Sequence, residues 1–512
     1  MARRFISAGW PYLYDVPRLH NCVPMLLADV AARFFRLQGD EVFFLCGADE
    51  HGARVQFVAE GYGKFPGALV DDKVAASLPL FSGLHLSFDR FGRTTDPEHQ
   101  RFVRDFLFDL DRRGALEERA LQVPYCASCA RFQPDRFVQG ICPHCQGKAT
   151  GSGCVNKLTC GRPLSPVELR DPRCAVCDEP TTLRESSHRV FRLGHYAADA
   201  MHGLTSTDKL AEPLRDAVHR VVHEIPDVAI TRDVAWGIAP PWEAAGKTVW
   251  DWADSLLAKV SFAERQGSYF SAAGVHRVFF LGVDSVAFYG ALLPSLLLAS
   301  GRGWDLDGWW VVPNDMLMVE GAVCSKSTGT GIWLGEALAT LPGDLWRFYV
   351  YHSYAHRAPG EREVDFRWEG LAAMINDRLF GPLGRAVVEP GGEGDAEARA
   401  RLAEAQDLLS RLRIGSAFRA LLTAIRARPS RAVLLETLPL LSCYLPDTAA
   451  RAAECLRSGA PLFPDGPIDA RATQRRYTRA VEAGRAGRTL EEEVTDARAD
   501  DLCACPTRLS EG

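Results

Sequence analysis

The stretch that decides the fold runs from Phe5 to Gly52 and reads FISAGWPYLYDVPRLHNCVPMLLADVAARFFRLQGDEVFFLCGADEHG. Its first six residues are an apolar run of the length of one buried strand. Apolar side chains then recur at three- and four-residue spacing from Val23 to Phe35, which predicts a helix. A second apolar run, Val42–Cys46, predicts another strand. A strand, a crossover helix and a strand of this size form a βαβ unit, so the sequence predicts a parallel α/β sheet.

Two polar clusters follow the predicted strands. Arg18-Leu19-His20-Asn21 comes between the first strand and the helix, and Asp49-Glu50-His51-Gly52 comes after the second strand. Ligands of parallel sheets bind beyond the carboxyl ends of the strands, which is where both clusters fall. An ordinary βαβ unit with a polar rim has the same pattern. Two later stretches decide between these interpretations.

The composition limits the class of protein. The chain has 512 residues, 24% of them charged, and a net charge of −6, which predicts two to four folded domains without a basic bias. No secretory apolar segment follows Met1, and the longest apolar run, near Val286–Ser300, is short for a membrane span and contains Pro294. Fifteen cysteines in such a chain favour metal binding over disulfides. We therefore expect a cytoplasmic protein without a membrane segment.

Eight of the cysteines form a ladder of pairs in the second hundred residues. A thiolate pair on a short turn is typical of a structural zinc site, and four thiolates complete a tetrahedral set. Cysteines that serve as small core residues would explain neither the pairing nor the glycines and prolines around the turns. Spacing alone would join neighbouring pairs, and the last-but-one spacing is unusually long. We therefore predict two Zn²⁺ sites formed by Cys126, Cys129, Cys142, Cys145, Cys154, Cys160, Cys174 and Cys177.

The second later stretch, residues 321–331, reads GAVCSKSTGTG. Together with the cysteine ladder, it resembles the class I aminoacyl-tRNA synthetases, and closely the methionyl-tRNA synthetases, from about Phe5 to Leu456. That family has a His-Ile-Gly-His type motif at Arg18–Asn21 and a Lys-Met-Ser-Lys-Ser loop at Val323–Ser327. The resemblance implies a split Rossmann-like parallel sheet with a two-zinc insertion and a helical C-terminal domain.

The resemblance also implies the division of the chain and the grouping of the cysteines. The first and fourth cysteine pairs would share one zinc (Cys126, Cys129, Cys174 and Cys177), and the second and third pairs the other (Cys142, Cys145, Cys154 and Cys160). The expected segments are two halves of the catalytic domain (1–124 and 191–334), the zinc insertion (125–190), a connecting segment (335–370), a reduced helical region similar to an anticodon-binding domain (371–483) and a flexible tail (484–512).

For the nucleotide, the resemblance implies a site for ATP with Mg²⁺. Lys326 would contact the phosphates in the transition state, and Arg18 could replace the cation that is lost at Val323. His20 stands where the family has a glycine against the adenine. A decayed site is the alternative, but the retention of Lys326 and Asp49 favours activity. The expected catalytic residues are Arg18, His20, Asn21 and Lys326, and the nucleotide-binding set adds Arg232, Gly282, Asp284, Ser325 and Ser327.

For the amino acid, Asp49 matches the carboxylate that holds the α-ammonium group in the family. Trp252 matches a pocket tryptophan, although Trp250 offers a second register. The expected substrate residues are Trp10, Tyr12, Asp49, Trp252, Lys259, Ser285 and Tyr289. A thioether needs an apolar slot, so a pocket with a lysine, a serine and a tyrosine predicts a polar or acidic amino acid. Lys259 pointing to solvent is the alternative.

The C-terminal third argues against tRNA as acceptor. The family reads the anticodon through an Asn, an Arg and a later Trp, but here Arg385 and Glu389 fall at the first two positions and no tryptophan follows Trp368. We therefore expect an amino acid and a small acceptor as partners. Related hydrazine-forming synthetases of specialised metabolism use an N-hydroxylated amine and a cupin, so a separate cupin protein would be needed. A divergent methionine–tRNA ligase and a catalytically inactive binding protein are the alternatives.

Overall fold

The computed structural model describes residues 1–156, 160, 162, 164–205, 227–242, 246–324, 330–355, 363–390, 396–464 and 466–486. Ser325, Lys326 and Ser327 lie outside the described residues, as does most of the predicted tail.

Strands and helices alternate through the described chain as far as Phe366, and the part after Phe366 is helical. In chain order, the strands are β1 (Arg3–Ala8), β2 (Glu41–Ala48), β3 (Arg90–Arg93), β4 (Leu116–Cys126), β5 (Arg131–Phe132), β6 (Val138–Ile141), β7 (Lys148–Thr150), β8 (Gly153–Cys154), β9 (Arg170–Cys174), β10 (Thr182–Phe191), β11 (Val228–Ala229), β12 (Thr231–Arg232), β13 (Thr248–Val249), β14 (Val275–Gly282), β15 (Trp309–Asn314), β16 (Met316–Val319), β17 (Ala322–Val323) and β18 (Glu363–Phe366). The α-helices are α1 (Leu19–Leu37), α2 (Ala53–Gly61), α3 (Pro66–Gly83), α4 (Pro97–Arg112), α5 (Leu193–Thr205), α6 (Asp251–Gly267), α7 (Leu293–Ser300), α8 (Leu334–Thr340), α9 (Gly343–Ala355), α10 (Trp368–Ile375), α11 (Gly381–Val388), α12 (Ala396–Ser410), α13 (Ile414–Ala427), α14 (Arg431–Tyr444), α15 (Pro446–Ser458) and α16 (Ala470–Ala486).

A five-stranded parallel sheet lies at the centre of the fold, in the order β15-β14-β1-β2-β3. Helix α1 makes the crossover from β1 to β2, so the predicted βαβ unit is confirmed. The helix begins after Arg18, whose backbone N–H donates to the Asn21 side chain at 3.0 Å. This contact satisfies a donor at the start of the helix and fixes the course of the Arg18–Asn21 motif.

Both faces of the sheet are covered by apolar side chains. On one face, α1, α9 and the C-terminal helices form one core with residues such as Phe44 and Trp346. On the other face, α4, α6 and α7 pack over residues such as Phe5 and Phe279. Phe5 and Phe44 are fully buried, and burial of such a side chain stabilises the fold by about 1.5–3 kcal/mol.

The insertion leaves the catalytic domain on a long antiparallel pair, β4 with β10, in which Leu116 pairs with Phe191 and Tyr125 with Thr182. A small sheet in the order β8-β7-β6-β9 forms the tip of the insertion. The two ends of the insertion are therefore adjacent, which brings the first and the last cysteine pair together.

The apolar run Val286–Leu298 is expected from its length to form one helix, but the structure divides it. A short 3₁₀ turn, Val283–Ser285, is followed by a wide π turn, Phe288–Leu292, and only then by α7. Pro294 near the start of α7 has no N–H to donate to the preceding turn, which explains why the regular α-helix begins so late.

The C-terminal third is helical, from α10 to α16. Between α13 and α14 the chain passes only through Arg428, Pro429 and Ser430, and Ser430 caps α14. Helix α16 then returns to pack against α8 and α10 of the upstream region. Among the helices of the described residues, none has the length and apolar character that crossing a membrane requires.

Candidate active site

Several of the predicted site residues lie at the carboxyl ends of β1, β2 and β14. Asp49 follows β2, and the backbone of Tyr12 pairs with that of Asp49. Helix α6 brings Lys259 to the same edge of the sheet. The elements therefore give the site an amino-acid end around Asp49 and Lys259 and a nucleotide end around Arg18.

Asp49 is a buried carboxylate with an oxygen available to accept a further hydrogen bond. Its side chain is 2% exposed, and one of its oxygens, Oδ1, lacks a hydrogen-bond partner within the described residues. Burial raises the pKa of Asp49 well above its ordinary value, and the nearby Asp251 and Asp254 carboxylates raise it further. A cation placed beside this oxygen would lower the pKa of Asp49 again, and the α-ammonium group of an amino acid is a cation of this kind.

Lys259 lies fully inside the protein, so the alternative in which it points to solvent is wrong. Its Nζ donates to the Ser255 carbonyl oxygen at 2.7 Å and to the Ser255 hydroxyl at 2.9 Å. The ammonium nitrogen lies 4.3 Å from the centre of the Trp10 ring and 5.7 Å from that of Tyr289. Burial lowers the pKa of Lys259 to about 7, against the opposing influence of Asp49 and Asp254.

Aromatic side chains line the amino-acid end of the site. Trp10 fits between the backbones of Gly47 and Gly92, where a Cβ on either glycine would overlap its indole. Trp252 stacks on Phe288 with ring centres 3.8 Å apart, whereas Trp250 approaches Phe288 edge-on at 6.0 Å. Ser285 is partly buried in the turn before the π segment.

A hydrogen-bond network that the sequence pattern did not indicate is centred on Asp254, which acts electrostatically on Asp49. The Asp254 carboxylate accepts a hydrogen bond from His51 Nδ1 at 2.7 Å and another from His99 Nε2 at 2.6 Å. Although burial opposes it, these imidazoles hold the pKa of Asp254 below its ordinary value. Asp254 directly precedes Ser255 in α6. The network therefore fixes the helix turn that carries Ser255, the hydrogen-bond partner of Lys259.

A second missed group lies beside Tyr12. The Tyr12 hydroxyl donates to Asp251 Oδ2 at 3.0 Å, and the Arg54 guanidinium lies 4.7 Å from the centre of the Tyr12 ring. Gly52 permits this arrangement, because a Cβ there would overlap the Asp251 carboxylate. The spacing of these residues gave no signal, since Asp251 is 239 positions from Tyr12.

At the nucleotide end, Arg18 is 3% exposed and its guanidinium lies 4.7 Å from the centre of the Trp333 ring. Backbone pairing fixes this contact, because Leu19 N donates to Ile332 O at 2.8 Å and Leu334 N to Pro17 O at 3.1 Å. Within the part of the chain that the structure describes, Arg18 Nε and Nη1 have no hydrogen-bond partner, and burial lowers the pKa of Arg18. A phosphate is a natural partner for such donors.

Tyr477 of α16 holds the same segment from the other side. Its hydroxyl accepts a hydrogen bond from Trp333 N at 2.9 Å and donates to Gly331 O at 3.4 Å. Gly331 has a φ of +146°, and a Cβ there would overlap the Arg18 side chain. The last helix of the described chain is thus joined to the nucleotide end.

The remaining predicted nucleotide residues differ in how they are placed. His20 is partly buried, Asn21 forms the helix start, and Gly282 ends β14. Arg232 donates to the carbonyl oxygens of Ala229 and Thr231, at 2.5 and 3.0 Å, so backbone groups already engage its guanidinium. The Asp284 side chain and Ser325, Lys326 and Ser327 of the lysine loop lie outside the described part. Their roles in binding the nucleotide stay predictions.

The eight cysteines form two groups of four, in the grouping that the resemblance implies. Cys126, Cys129, Cys174 and Cys177 are one group, and Cys142, Cys145, Cys154 and Cys160 are the other. Sulfur–sulfur distances include 3.4, 3.6 and 3.7 Å in the first group and 3.5 and 3.8 Å in the second. Four sulfurs about 2.3 Å from a tetrahedral Zn²⁺ would lie about 3.8 Å apart, so both groups fit this ion.

Comparison with known proteins agrees with this geometry. Residues 4–388 match the sequence model of the family described as tRNA synthetases class I (M). The chain belongs to this family. It is 34% identical over 398 residues to the methionine–tRNA ligase of Korarchaeum cryptofilum, covering 75% of this chain and 70% of that protein. It is 33% identical over 402 residues to the methionine–tRNA ligase of Aeropyrum pernix, covering 76% of this chain and 69% of that protein.

Among solved structures, the chain is similar to a Mycobacterium tuberculosis methionyl-tRNA synthetase bound by methionyl-adenylate. The TM-score is 0.66 at 20% identity, over 88% of this chain and 94% of that one. This likeness supports the fold. At the level of the family, the protein is an amino-acid-activating ligase of the class I synthetase type.

Proposed function

We propose that this protein activates a polar amino acid as its adenylate and transfers it to a small acceptor other than tRNA. The observation that carries the proposal is the fully buried Lys259, held by Ser255 beside Trp10 and Tyr289. A buried ammonium group in a side-chain pocket disfavours a thioether, which offers it no strong acceptor. A substrate with an acidic side chain satisfies the lysine best.

Asp49 and Lys259 form a matched pair for such a substrate. Burial works against the charged form of each group, raising the pKa of Asp49 and lowering that of Lys259 to about 7. An amino acid with an α-ammonium group and a side-chain carboxylate would bring one counter-charge to each residue. Each buried charge would then be paired and hydrogen-bonded, which is the condition for tolerating it.

The first reaction requires alignment and charge neutralisation. A carboxylate oxygen of the amino acid attacks the α-phosphorus of ATP, the bond to the bridging oxygen breaks, and pyrophosphate leaves. Asp49 would fix the α-ammonium group, and Arg18 and Lys326 would neutralise phosphate charge that develops in the transition state. Mg²⁺, which the family uses with ATP, would screen the phosphates.

The acceptor is proposed from the C-terminal third. The connection of Arg428, Pro429 and Ser430 between α13 and α14 leaves little room for a base-reading segment, and Glu389 would repel a phosphate backbone. A small hydroxyl, hydroxylamine or amine nucleophile fits these features better than tRNA. A hydrazine-forming pathway would additionally need a separate cupin protein. The two zinc ions would have a structural role in the insertion.

Amino-acid-dependent pyrophosphate exchange with each of the twenty amino acids tests the proposal. We expect exchange with a polar or acidic amino acid and little with methionine. Because the similar proteins from Korarchaeum cryptofilum and Aeropyrum pernix are methionine–tRNA ligases, methionine-dependent exchange followed by methionyl-tRNA formation is the competing result. Absence of exchange with every amino acid would favour the catalytically inactive binding protein.

A substitution in the amino-acid pocket tests the role of Lys259 in the same assay. Lys259→Met replaces the buried ammonium group by an apolar side chain of similar length, and we expect it to weaken the polar amino acid more than ATP. The loss should be roughly 10- to 100-fold in kcat/KM for the amino acid, the range expected when a charged hydrogen bond is removed. Equal losses for both substrates would indicate damage to the fold.

A further inference from the structure

One buried imidazole contacts both chain neighbours of Arg232. His188 lies on β10, the strand on which the chain leaves the zinc insertion, and its side chain is buried. Its Nδ1 is 3.1 Å from the Thr231 hydroxyl oxygen, and its Nε2 is 3.0 Å from a carboxylate oxygen of Asp233. Thr231 and Asp233 flank Arg232, which the family resemblance assigns to the nucleotide site. A single side chain therefore contacts the chain on both sides of this arginine.

Asp233 has further partners that fix its carboxylate. The Ser186 hydroxyl, from the same face of β10, donates to it at 3.0 Å. The Lys247 ammonium group donates to the same carboxylate oxygen and, at 2.6 Å, to the Ser186 hydroxyl. Although burial opposes it, His188 and Lys247 lower the pKa of Asp233, so this carboxylate is ionised at neutral pH. Because Lys247 and Ser186 hold Asp233 as well, we expect a variant without the imidazole to fold.

The other neighbour, Thr231, is tied to β10 and to the start of α6. Arg189 N donates to the Thr231 hydroxyl oxygen at 3.2 Å, and Ile230 N donates to Arg189 O at 2.7 Å. Trp250 N, at the start of α6, donates to Ile230 O at 2.7 Å. The Trp250 ring centre lies 4.6 Å from the Arg232 guanidinium. The course of β10 therefore determines where the backbone of Arg232 lies relative to this tryptophan.

The Arg232 guanidinium is held by the same short segment. Its Nη1 donates to the carbonyl oxygens of Ala229 and Thr231, whereas its Nη2 donates to no acceptor among the described residues. Asp135 of the insertion lies 3.8 Å from Arg232 Nε, close enough for the two charges to attract each other. The protein thus fixes one edge of the guanidinium and leaves the Nη2 amino group for a ligand. A phosphate oxygen is a natural acceptor for such a donor.

We propose that His188 is a positioning residue for adenylate formation, because it fixes the two neighbours of Arg232 and thereby directs this guanidinium to the phosphates of ATP. The inference rests on the ATP-dependent activation in the proposed function, whichever amino acid is activated. His188 touches neither substrate. It sets the place from which Arg232 neutralises charge in the transition state, and a misplacement of about 1 Å can cost on the order of 100-fold in rate.

A double-mutant cycle in pyrophosphate exchange tests the proposal. Full-length wild type, His188→Leu, Arg232→Gln and the double variant are assayed with the amino acid that supports exchange. His188→Leu should lower kcat about 10-fold and change the KM of either substrate less than about twofold, since the interaction that it disturbs acts in the transition state. In the Arg232→Gln background the same substitution should cost less than about twofold, because the group through which it acts is already absent.

Further variants separate positioning from stability. His188→Gln retains an amide near Asp233 and should recover part of the lost kcat. Thr231→Val removes only the hydroxyl that contacts His188 Nδ1, and its smaller loss, about threefold, should also disappear without Arg232. It carries the same test if His188→Leu does not fold, which zinc content and Tm would show. Ser187→Ala, at an exposed position next to His188 on β10, is the matched control and should change neither kcat nor KM.

A purely structural role for His188 gives different results. His188→Leu would then reduce exchange by the same factor with and without Arg232, and this additivity would overturn the inference. Wild-type kcat in both His188→Leu and Thr231→Val, or in Arg232→Gln, would overturn it as well. Absence of exchange with every amino acid would overturn the proposed function and the inference together, whereas additive losses in an active enzyme would overturn the inference alone.

Discussion

The amino-acid end and the nucleotide end of the candidate site are constructed differently. At the amino-acid end, charges are buried and engaged by protein groups: Lys259 by Ser255, and Asp254 by His51 and His99. At the nucleotide end, Arg18 is equally buried, but its Nε and Nη1 donors have no hydrogen-bond partner among the described residues. Apart from Asp49 Oδ1, the charged groups at the amino-acid end are hydrogen-bonded within the described residues, whereas the nucleotide end has two guanidinium donors available for a ligand.

This difference indicates which end sets specificity. Pre-formed hydrogen bonds position Lys259 before the amino acid arrives, so a substrate that cannot pair with it leaves a buried charge unsatisfied. The Arg18 end is positioned by backbone contacts with Ile332 and Leu334, which recognise no particular ligand. We therefore expect substitutions at the two ends to affect different substrates, and the following predictions test that separation.

The largest expected effect is metal removal. Binding of zinc to a four-cysteine site contributes on the order of 10 kcal/mol, so chelation should unfold the insertion. The insertion contributes Asp135, whose charge acts on Asp251, the carboxylate that accepts a hydrogen bond from Tyr12 at the amino-acid end. Arg18, in contrast, contacts Trp333 of the catalytic domain. Chelated protein should lose amino-acid binding before ATP binding. Metal analysis should find two zinc ions per chain, and fewer than about one would contradict both sites.

The next largest effect should come from Lys326→Ala. The lysine is expected to act chiefly in the transition state, so the rate of adenylation should fall about 100- to 1000-fold while the KM of each substrate changes little. Circular dichroism would check that the fold is intact. Near wild-type adenylation would show that Arg18 or another cation carries the phosphate charge.

How much of this could be predicted from the sequence differs between features. The βαβ unit followed from apolar periodicity, and eight cysteines followed from their spacing. Their grouping did not, because spacing alone favoured neighbouring pairs, and only the family resemblance implied the arrangement that the structure has. The π turn before α7 was missed because an apolar run carries no signal for the width of a helical turn.

Contacts between distant positions were beyond the sequence. Asp254 is 203 positions from His51 and 155 from His99, and no local pattern links them. The packing of the insertion on α2, through Phe137 with Phe57 and Arg131 with Glu60, likewise joins distant positions. By contrast, Lys259 could be proposed as a pocket residue, because the family resemblance suggests a register in which Trp252 matches the pocket tryptophan.

Asp49→Asn should impair the use of the amino acid without changing the binding of ATP. The neutral amide cannot pair with the α-ammonium group, so kcat/KM for the amino acid should fall roughly 10- to 100-fold, the cost of losing a charged hydrogen bond. The KM of ATP should stay within about twofold of wild type. Asp105→Asn, an exposed substitution on α4, is the matched control and should change neither value. A parallel rise in the KM of ATP would show that the two ends are coupled.

The pH dependence of amino-acid binding should be smaller and specific to Lys259. The pKa of Lys259 is about 7, so its ammonium group loses its proton as the pH rises through this value. For an acidic amino acid, KM should therefore rise by up to about tenfold per unit above pH 7, since only the charged lysine pairs with the side-chain carboxylate. Lys259→Met should abolish this rise. A rise that persists in the variant would assign the titration to another group.

The smallest predicted effect concerns Tyr477, which we expect to position the nucleotide end without contacting the substrate. Tyr477→Phe removes the hydroxyl that accepts from Trp333 N and donates to Gly331 O, two backbone groups beside Arg18. A buried backbone donor left unpaired costs about 1–3 kcal/mol, part of which should appear as a three- to tenfold rise in the KM of ATP. Tyr444→Phe removes a similar buried hydroxyl, which donates to Ile414 O at 2.9 Å within the helical region. Both variants should lower Tm by a few degrees, but only Tyr477→Phe should change the KM of ATP, and neither should change that of the amino acid. If both variants changed the KM of ATP equally, the contact of α16 with Trp333 would serve stability alone.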